Sequence, residues 1–418
     1  MDSCYYKDFP ALGAFEGELG YTSNPLAYLD NAATTHKPSI VLQTVEGYYR
    51  ECNANPYRGT YRTSVASTQL YEGSRSIVAH FIGADADEIV FTRNATESLN
   101  LVAYSYALDT LAPGDEIVLP ISEHHSNLVV WQHVCEKTGA KLVYMRPDEN
   151  GRLRDEEIEQ KITGAAKIVA CAHVSNVLGS VFPIEKIVEK AHSVGAVVVL
   201  DCAQSAAHLP LDLSALDVDF AAFSGHKLYA PMGIGVLFAK RELLGQMKPF
   251  LFGGEMIDEV REYRSTFENG PKRFEAGTPN VAGALGLATA IDYVQRIGFD
   301  EIGRVERQLA THLLDGMRAI DSVRIIGNPY ATLDRTGVVA FTVDGAHPQD
   351  IALVLDGENI AIRTGSHCAQ PLHRSLGLES SCRVSPCFYN TTAEIDRFLD
   401  TIESVRRTIS RRIMAVFP

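Results

Sequence analysis

The 418-residue chain carries 38 Lys and Arg against 52 Asp and Glu, a formal charge of −14. That acidic balance excludes a protein built around a nucleic-acid backbone, which calls for a basic face. With 46% hydrophobic and 22% charged residues the chain is not disordered, and its length fits one large or two moderate domains. No apolar run approaches the roughly 18 residues of a membrane span. The opening MDSCYYKDFPALGAFEGELG (1–20) lacks the basic-then-apolar order of a secretory signal. A soluble, cytoplasmic protein is expected, with no membrane partner.

The eight cysteines are Cys4, Cys52, Cys135, Cys171, Cys202, Cys368, Cys382 and Cys387. No two form a C-x-x-C, so neither a disulfide framework nor a zinc ribbon is expected. They read as small buried hydrophobes of a reducing compartment, with room for one reactive thiol among them.

Short β-rich apolar runs alternate with helical patterns along the chain. EIVFT (88–92) runs into Arg93-Asn94-Ala95-Thr96-Glu97, where the helical pattern ESLNLVAYSYAL (97–108) must begin. Free N–H groups and a hydroxyl at a helix start suit a phosphate, although an ordinary helix cap uses the same residues. EIVLP (116–120) is followed by Ser122-Glu123-His124-His125-Ser126. Adjacent histidines on extended chain point to opposite sides, so a shared metal is not expected. One imidazole can face a crevice and stack on a planar ligand, or rest on the surface. KLVYM (141–145) and KIVACAHV (167–174) come next, the latter leading to Ser175-Asn176.

After the helical PIEKIVEKAHSV (183–194), AVVVLD (196–201) ends in Asp201, followed by Cys202-Ala203-Gln204. A carboxylate after such an apolar run must be solvated, cap a helix or pair with a cation. DFAAFS (219–224) ends in Ser224-Gly225-His226-Lys227, and IGVLFAK (234–240) closes the series. Beyond a Gly-rich stretch near 277–286 lie the helical AGALGLATAIDYVQRIG (282–298), the strand GVVAFTV (337–343) and the helical TAEIDRFLDTIESVRRTI (392–409). Apolar strands separated by helices predict an α/β fold with a mainly parallel sheet covered on both faces. The remainder predicts a smaller α+β domain. The expected division is 21–290 for the large domain and 291–418 for the small one, with residues 1–20 packing on the latter.

Ligands of open α/β sheets bind beyond the carboxyl ends of the strands, where this chain repeatedly places polar residues. A lysine in a partly closed polar crevice loses its charge readily and becomes an amine nucleophile for carbonyl compounds. Pyridoxal phosphate (PLP) would use all of these groups at once. Lys227 would anchor it covalently, Asp201 would pair with its protonated ring nitrogen, and the helix start at Thr96 would take its phosphate.

A rival reading comes from Ser224-Gly225-His226-Lys227, which also spells the S-x-x-K of penicillin-binding serine hydrolases, with a K-T-G at 137–139. That triplet lies upstream where the hydrolases have it downstream, no S-D-N occurs, and Leu228-Tyr229-Ala230-Pro231 stops the helix the motif should open. Gly233-Ile234-Gly235 lacks the third glycine of a dinucleotide fingerprint.

A longer set of segments points the same way as Lys227 and Asp201. These are YLDNAATTHKP (28–38), RNATESLNLVA (93–103), SEHHSNLVVWQ (122–132), VSNVLG (174–179), DCAQSAAH (201–208), SGHKLYAPMGIGVL (224–237), FEAGTPNVAG (274–283) and RTGSHCAQPL (363–372). Through them the chain resembles the class V, fold-type I PLP enzymes, and within these the SUF-type (group II) cysteine desulfurases, from about Tyr28 to the last helix. The resemblance implies the PLP-transferase fold, with a seven-stranded sheet in the large domain. It implies that Lys227 carries the cofactor, His124 stacks on its ring and serves in proton transfer, and Gln204 bonds its phenolic oxygen. Asp201 would hold the ring nitrogen. Thr96, the backbone near Ala95, Ser224 and His226 would hold the phosphate, completed by Gly277 and Thr278 of a neighbouring subunit in a homodimer. Asn176 and Arg383, with Arg363 nearby, would hold the substrate carboxylate, which a guanidinium grips through two parallel hydrogen bonds.

Cys368 is then the thiol that the cysteine count left open. Its loop, Arg363-Thr364-Gly365-Ser366-His367-Cys368, offers cationic neighbours that favour the attacking thiolate. The implied reaction removes sulfur from L-cysteine, leaves a persulfide on Cys368, releases L-alanine and passes sulfur to an acceptor protein for iron–sulfur or other thio-cofactor assembly. A selenocysteine lyase, a C–S lyase, an aminotransferase or a PLP-binding assembly scaffold would use the same frame.

Two stretches depart from the family. Ser366-His367-Cys368 stands where His-His-Cys is usual, and Tyr57-Arg58-Gly59-Thr60-Tyr61 stands where His-Arg-Gly-x-His is usual. Val384-Ser385-Pro386-Cys387 also departs at the proline and cysteine. These changes bear on the substrate, the acceptor and proton transfer around Cys368, and leave the cofactor groups intact.

Overall fold

A computed structural model describes residues 5–13 and 25–416, with side chains of the last helix described to Val405. Cys4 lies outside the described residues.

Seven strands of the expected series form one sheet. Taken after β1 (Ala27–Tyr28), they are β2 (Ile89–Thr92), β3 (Glu116–Pro120), β4 (Lys141–Met145), β5 (Ala166–Ala172), β6 (Val197–Asp201), β7 (Phe220–Ser224) and β8 (Gly235–Ala239). Their order is β2-β8-β7-β6-β5-β3-β4. The pairs β7-β6-β5-β3-β4 are parallel, and β8 runs antiparallel to both its neighbours.

The two-residue period of a strand sends alternate side chains to opposite faces, and the buried clusters separate accordingly. Val169, Cys171, Val198, Leu200, Ala221 and Phe223 belong to the core on one face. Ile168, Ala170, Val199, Phe220 and Ala222 belong to the core on the other. Burial on both faces explains why these strands read as unbroken apolar runs.

The long helix Val281–Ile297 packs under the first face against helices Ser39–Glu51 and Arg62–Phe81. Asn280 caps it, its Oδ1 accepting from Gly283 N at 2.9 Å. A side chain at Gly286 would meet Pro231 Cγ at 2.7 Å, so glycine alone lets this helix reach the turn after Lys227.

A charged hairpin, β9 (Ile257–Val260) and β10 (Ser265–Phe267), stands apart from the large sheet. A second sheet in the order β11-β12-β15-β14 is built from β11 (Val323–Ile326), β12 (Val339–Val343), β14 (Arg363–Gly365) and β15 (Ser381–Val384), all antiparallel. It has its own core, with Phe341, Val384, Leu313 and Phe398 buried together.

Two features tie the expected large and small parts of the chain together. The first strand, β1, pairs in parallel with β13 (Ile360–Ala361), and Ala27 and Leu29 lie in the second core, not the first. Conversely, Phe9 and Leu12 are buried in the large-sheet core. Phe9 packs on Tyr229 of the 21–290 stretch and on Tyr293, Phe388 and Tyr389 of the 291–418 stretch, so the described part of the N-terminal segment lies against aromatic surface from both.

Candidate active site

Four strand ends and a turn converge on one cavity of about 240 Å³. At the end of β2, Asn94 caps the helix Ala95–Val102, accepting from Glu97 N at 2.9 Å. Ala95 N donates to Ser224 Oγ at 2.8 Å, and Thr96 Oγ1 lies 2.7 Å from Ser126 Oγ. A Cβ on Gly235 would stand 2.5 Å from Asn94 Cα, so this glycine is what lets β8 approach the turn.

His124 follows β3. Its Nδ1 accepts from Ser126 N at 3.1 Å, which leaves the ring proton on Nε2 in the neutral form. Burial, reinforced by the neighbouring Lys227 cation, pushes its pKa down to about 3. At the end of β6, Asp201 accepts from Ala203 N at 2.8 Å, and Gln204 Nε2 donates to Ala32 O at 2.8 Å. Burial raises the Asp201 pKa against the pull of that N–H and of Lys227.

Lys227 ends the Gly225–Lys227 turn after β7. Burial lowers its pKa to about 8 although Asp201 opposes the shift, so the free amine is accessible near neutral pH. His226 Nδ1 meets Thr34 Oγ1 at 3.2 Å. Lys37, not singled out in the sequence, ties this turn down by donating to His226 O at 3.1 Å and to Thr34 Oγ1 at 3.4 Å.

Arg363 and Arg383 are direct cross-strand partners on β14 and β15. Both line the cavity, as does Asn176. Arg383 donates to Asn176 O and to Asp30 Oδ1, each at 3.0 Å, and its buried Nε has no hydrogen-bond partner among the described residues. Cys368 is partly exposed on the adjoining loop, with Arg363 Nη2 at 3.8 Å from its Sγ. The fold therefore brings together Ala95, Thr96, His124, Asn176, Asp201, Gln204, Ser224, His226, Lys227, Arg363 and Arg383 on one wall, with Cys368 beside it.

The Aminotransferase class-V family matches residues 27–398 of this chain. A cysteine desulfurase of Haloferax volcanii is 44% identical over 93% of this chain and 92% of its own length. In structure, the apo cysteine desulfurase of Thermococcus onnurineus NA1 superposes with a TM-score of 0.90 at 40% identity, over 96% of both chains. The cysteine desulfurase CsdA of Escherichia coli, in an S-sulfonic acid form, superposes with a TM-score of 0.88 at 37% identity, over 97% of this chain and 98% of its own. The chain belongs to the cysteine desulfurases of the class-V aminotransferase family.

PLP is the cofactor of such desulfurases, and the cavity residues fit it. A buried amine faces a buried carboxylate that spends only one hydrogen bond on its own backbone. A neutral imidazole borders the same space. The hydroxyls of Thr96 and Ser224 and the N–H groups of a helix start offer donors for a phosphate.

Gly277 and Thr278 are not on this wall. They line a separate cleft of about 490 Å³, together with Arg93 and Glu97, on the far side of the Asn94–Thr96 turn.

Tyr57, Tyr61 and Ser366, which stand where the family usually has histidines, do not line the cavity. Tyr57 takes a left-handed φ of 71° and donates to Glu72 Oε1, while Tyr61 is exposed. Ser366 contributes its carbonyl to the Cys368 loop. Cys382 and Cys387 are fully buried, and burial holds the Cys382 thiol up at about 12 and that of Cys387 well above its ordinary value. Neither is suited to relay sulfur as a thiolate.

Sequence reasoning missed Asp30, Lys37, Ser126 and His367. All four lie within quoted signature segments, but nothing local marks their partners. His367 lines the cavity, is almost fully buried, and has its pKa driven to about 2 by burial.

Proposed function

We propose that the protein removes sulfur from L-cysteine, holds it as a persulfide on Cys368 and releases L-alanine. The observation that carries this reading is the position of Cys368 beside Arg363, which shares one cavity with Lys227, Asp201 and Arg383.

Arg383 and Arg363 grip the substrate carboxylate, Arg383 through the Nε–H left without a partner among the described residues. Bound at Lys227, PLP supplies an electron sink for the substrate α-carbon. The freed Lys227 amine, poised near pH 8, takes the α-proton. His124, neutral, borders the substrate and can hold or return a proton at Nε2. The Cys368 thiolate attacks the substrate sulfur. One S–S bond forms, the C–S bond breaks, its electron pair stays with the substrate carbon, and a proton completes alanine. The net change is L-cysteine plus enzyme thiol giving L-alanine plus enzyme persulfide.

Gly277 and Thr278, facing their own cleft across the Asn94–Thr96 turn, would complete the phosphate site of a second copy of the chain. That arrangement makes the active form a homodimer. The persulfide then passes to an acceptor protein in the SUF-type manner, feeding iron–sulfur or other thio-cofactor assembly in the cytoplasm. No helix among the described residues is long and apolar enough to cross a membrane.

The deciding experiment incubates purified protein and PLP with L-cysteine and a thiol reductant, following alanine and sulfide. Equal amounts of both, lost in Cys368→Ala, are expected. Alanine and sulfide at the wild-type rate from Cys368→Ala would remove the proposed nucleophile.

A further inference from the structure

Cys368 sits in a tight loop closed by a 2.8 Å hydrogen bond from Ala369 N to Ser366 O. Within it His367 and Cys368 both take left-handed φ values, 50° and 58°. That region is unfavourable for residues with a side chain and persists only where the surroundings impose it.

Groups from other elements impose it here. Asn176 Nδ2 donates to His367 O at 2.7 Å, and His367 Nε2 lies 3.0 Å from Ser381 Oγ. His125 contributes twice. Its backbone N–H donates to Cys368 O at 2.7 Å, and its ring Nε2 accepts from Gln370 N at 3.2 Å. Gln370 opens the helix Gln370–Ser375, whose first N–H groups have no partner within the helix. The imidazole thus caps that helix from outside, and one residue after β3 fixes the chain at Cys368 and two positions later. An accepting Nε2 carries no proton, so the ring serves this purpose in its neutral form. His125 is not on the cavity wall and is free of the cofactor and substrate roles assigned above.

We propose that His125 is a positioning residue for sulfur transfer: by capping Gln370 it holds the Cys368 loop in its strained conformation beside the cavity. The proposal rests on Cys368 as the sulfur-accepting thiol.

The test uses the PLP-loaded enzyme and amide hydrogen exchange across 366–372. His125→Leu removes the acceptor, and His125→Ala does so with a smaller side chain should the leucine disturb folding. His125→Gln restores an acceptor at similar reach. Exchange at 366–372 is expected to rise about fivefold in the Leu or Ala variant, as for the loss of one hydrogen bond of about 1 kcal/mol, and to return in the Gln variant. kcat should fall with KM for L-cysteine and cofactor absorbance unchanged. Wild-type exchange in both Leu and Ala variants, or no rescue by Gln, overturns the proposal. Undiminished sulfide release by Cys368→Ala instead overturns the sulfur reading, whatever the loop exchange shows.

Discussion

Arg383 and Asp30, 353 residues apart in sequence, are joined by a hydrogen bond of 3.0 Å in which Arg383 Nη2 donates to Oδ1. The arginine is almost fully buried and the aspartate is partly so. Burial pushes both groups toward their neutral forms, and each opposes that shift in the other. Removing one partner strands a buried charge, which costs far more than the pair itself contributes. Asp30→Asn should lower stability by about 3 kcal/mol, read as a shift of the urea midpoint, and should alter KM for L-cysteine. An unchanged midpoint would show that Arg383 needs no counter-charge.

Lys227→Ala removes the only side chain proposed to hold PLP covalently. The variant should fold normally, lose its visible absorbance on gel filtration and have no measurable turnover. Retained absorbance after gel filtration would point to another anchor.

Cys368→Ala should leave cofactor absorbance and thermal stability within about 0.5 kcal/mol of wild type, as for a partly exposed loop position. Protein-bound persulfide, detected by mass after a single turnover, should vanish. Persulfide on Cys382 or Cys387 in that variant would contradict the inert role that their burial implies.

His208 and Glu306 form a buried pair at 2.9 Å, joining the segment after β6 to the helix Phe299–Arg318. Burial works to lower the His208 pKa, and the Glu306 carboxylate overcomes it, so the net shift is upward. With a folded value above the unfolded value of about 6.5, the pair's contribution is complete below about pH 6.5 and fades as pH rises through the folded value. The stability gap between wild type and His208→Gln should be about 2 kcal/mol at pH 6 and should narrow at alkaline pH. A gap that widens with pH would reverse the assignment.

The groups of the site that could be read from sequence are those that break an apolar strand. Lys227 and Asp201 follow runs such as FAAF and VVVL, where a charge demands a reason, and the sheet then brings the two runs side by side. Gln204 and Thr96 could be placed only through resemblance, because amides and hydroxyls cap helices everywhere. Asp30 was invisible for a different reason: its partner lies at the other end of the chain. The same holds for β1 and β13, whose two residues each are too short to show a period. Phe9 reads as one aromatic in a polar segment, and only the fold reveals the aromatic cluster it completes.

The pairing of Ala27–Leu29 with the 360–385 region also sets an order of assembly. Every strand of the large sheet, and with it Lys227 and Asp201, is complete once residue 239 has been made. Arg383 and the Asp30 contact wait for nearly all of the remaining chain. Such distant pairings close late, because the loop entropy must be met before the contact forms. A nascent chain thus owns its amine before it owns its carboxylate grip, and competence to hold an amino acid arrives as one of the last acts of folding.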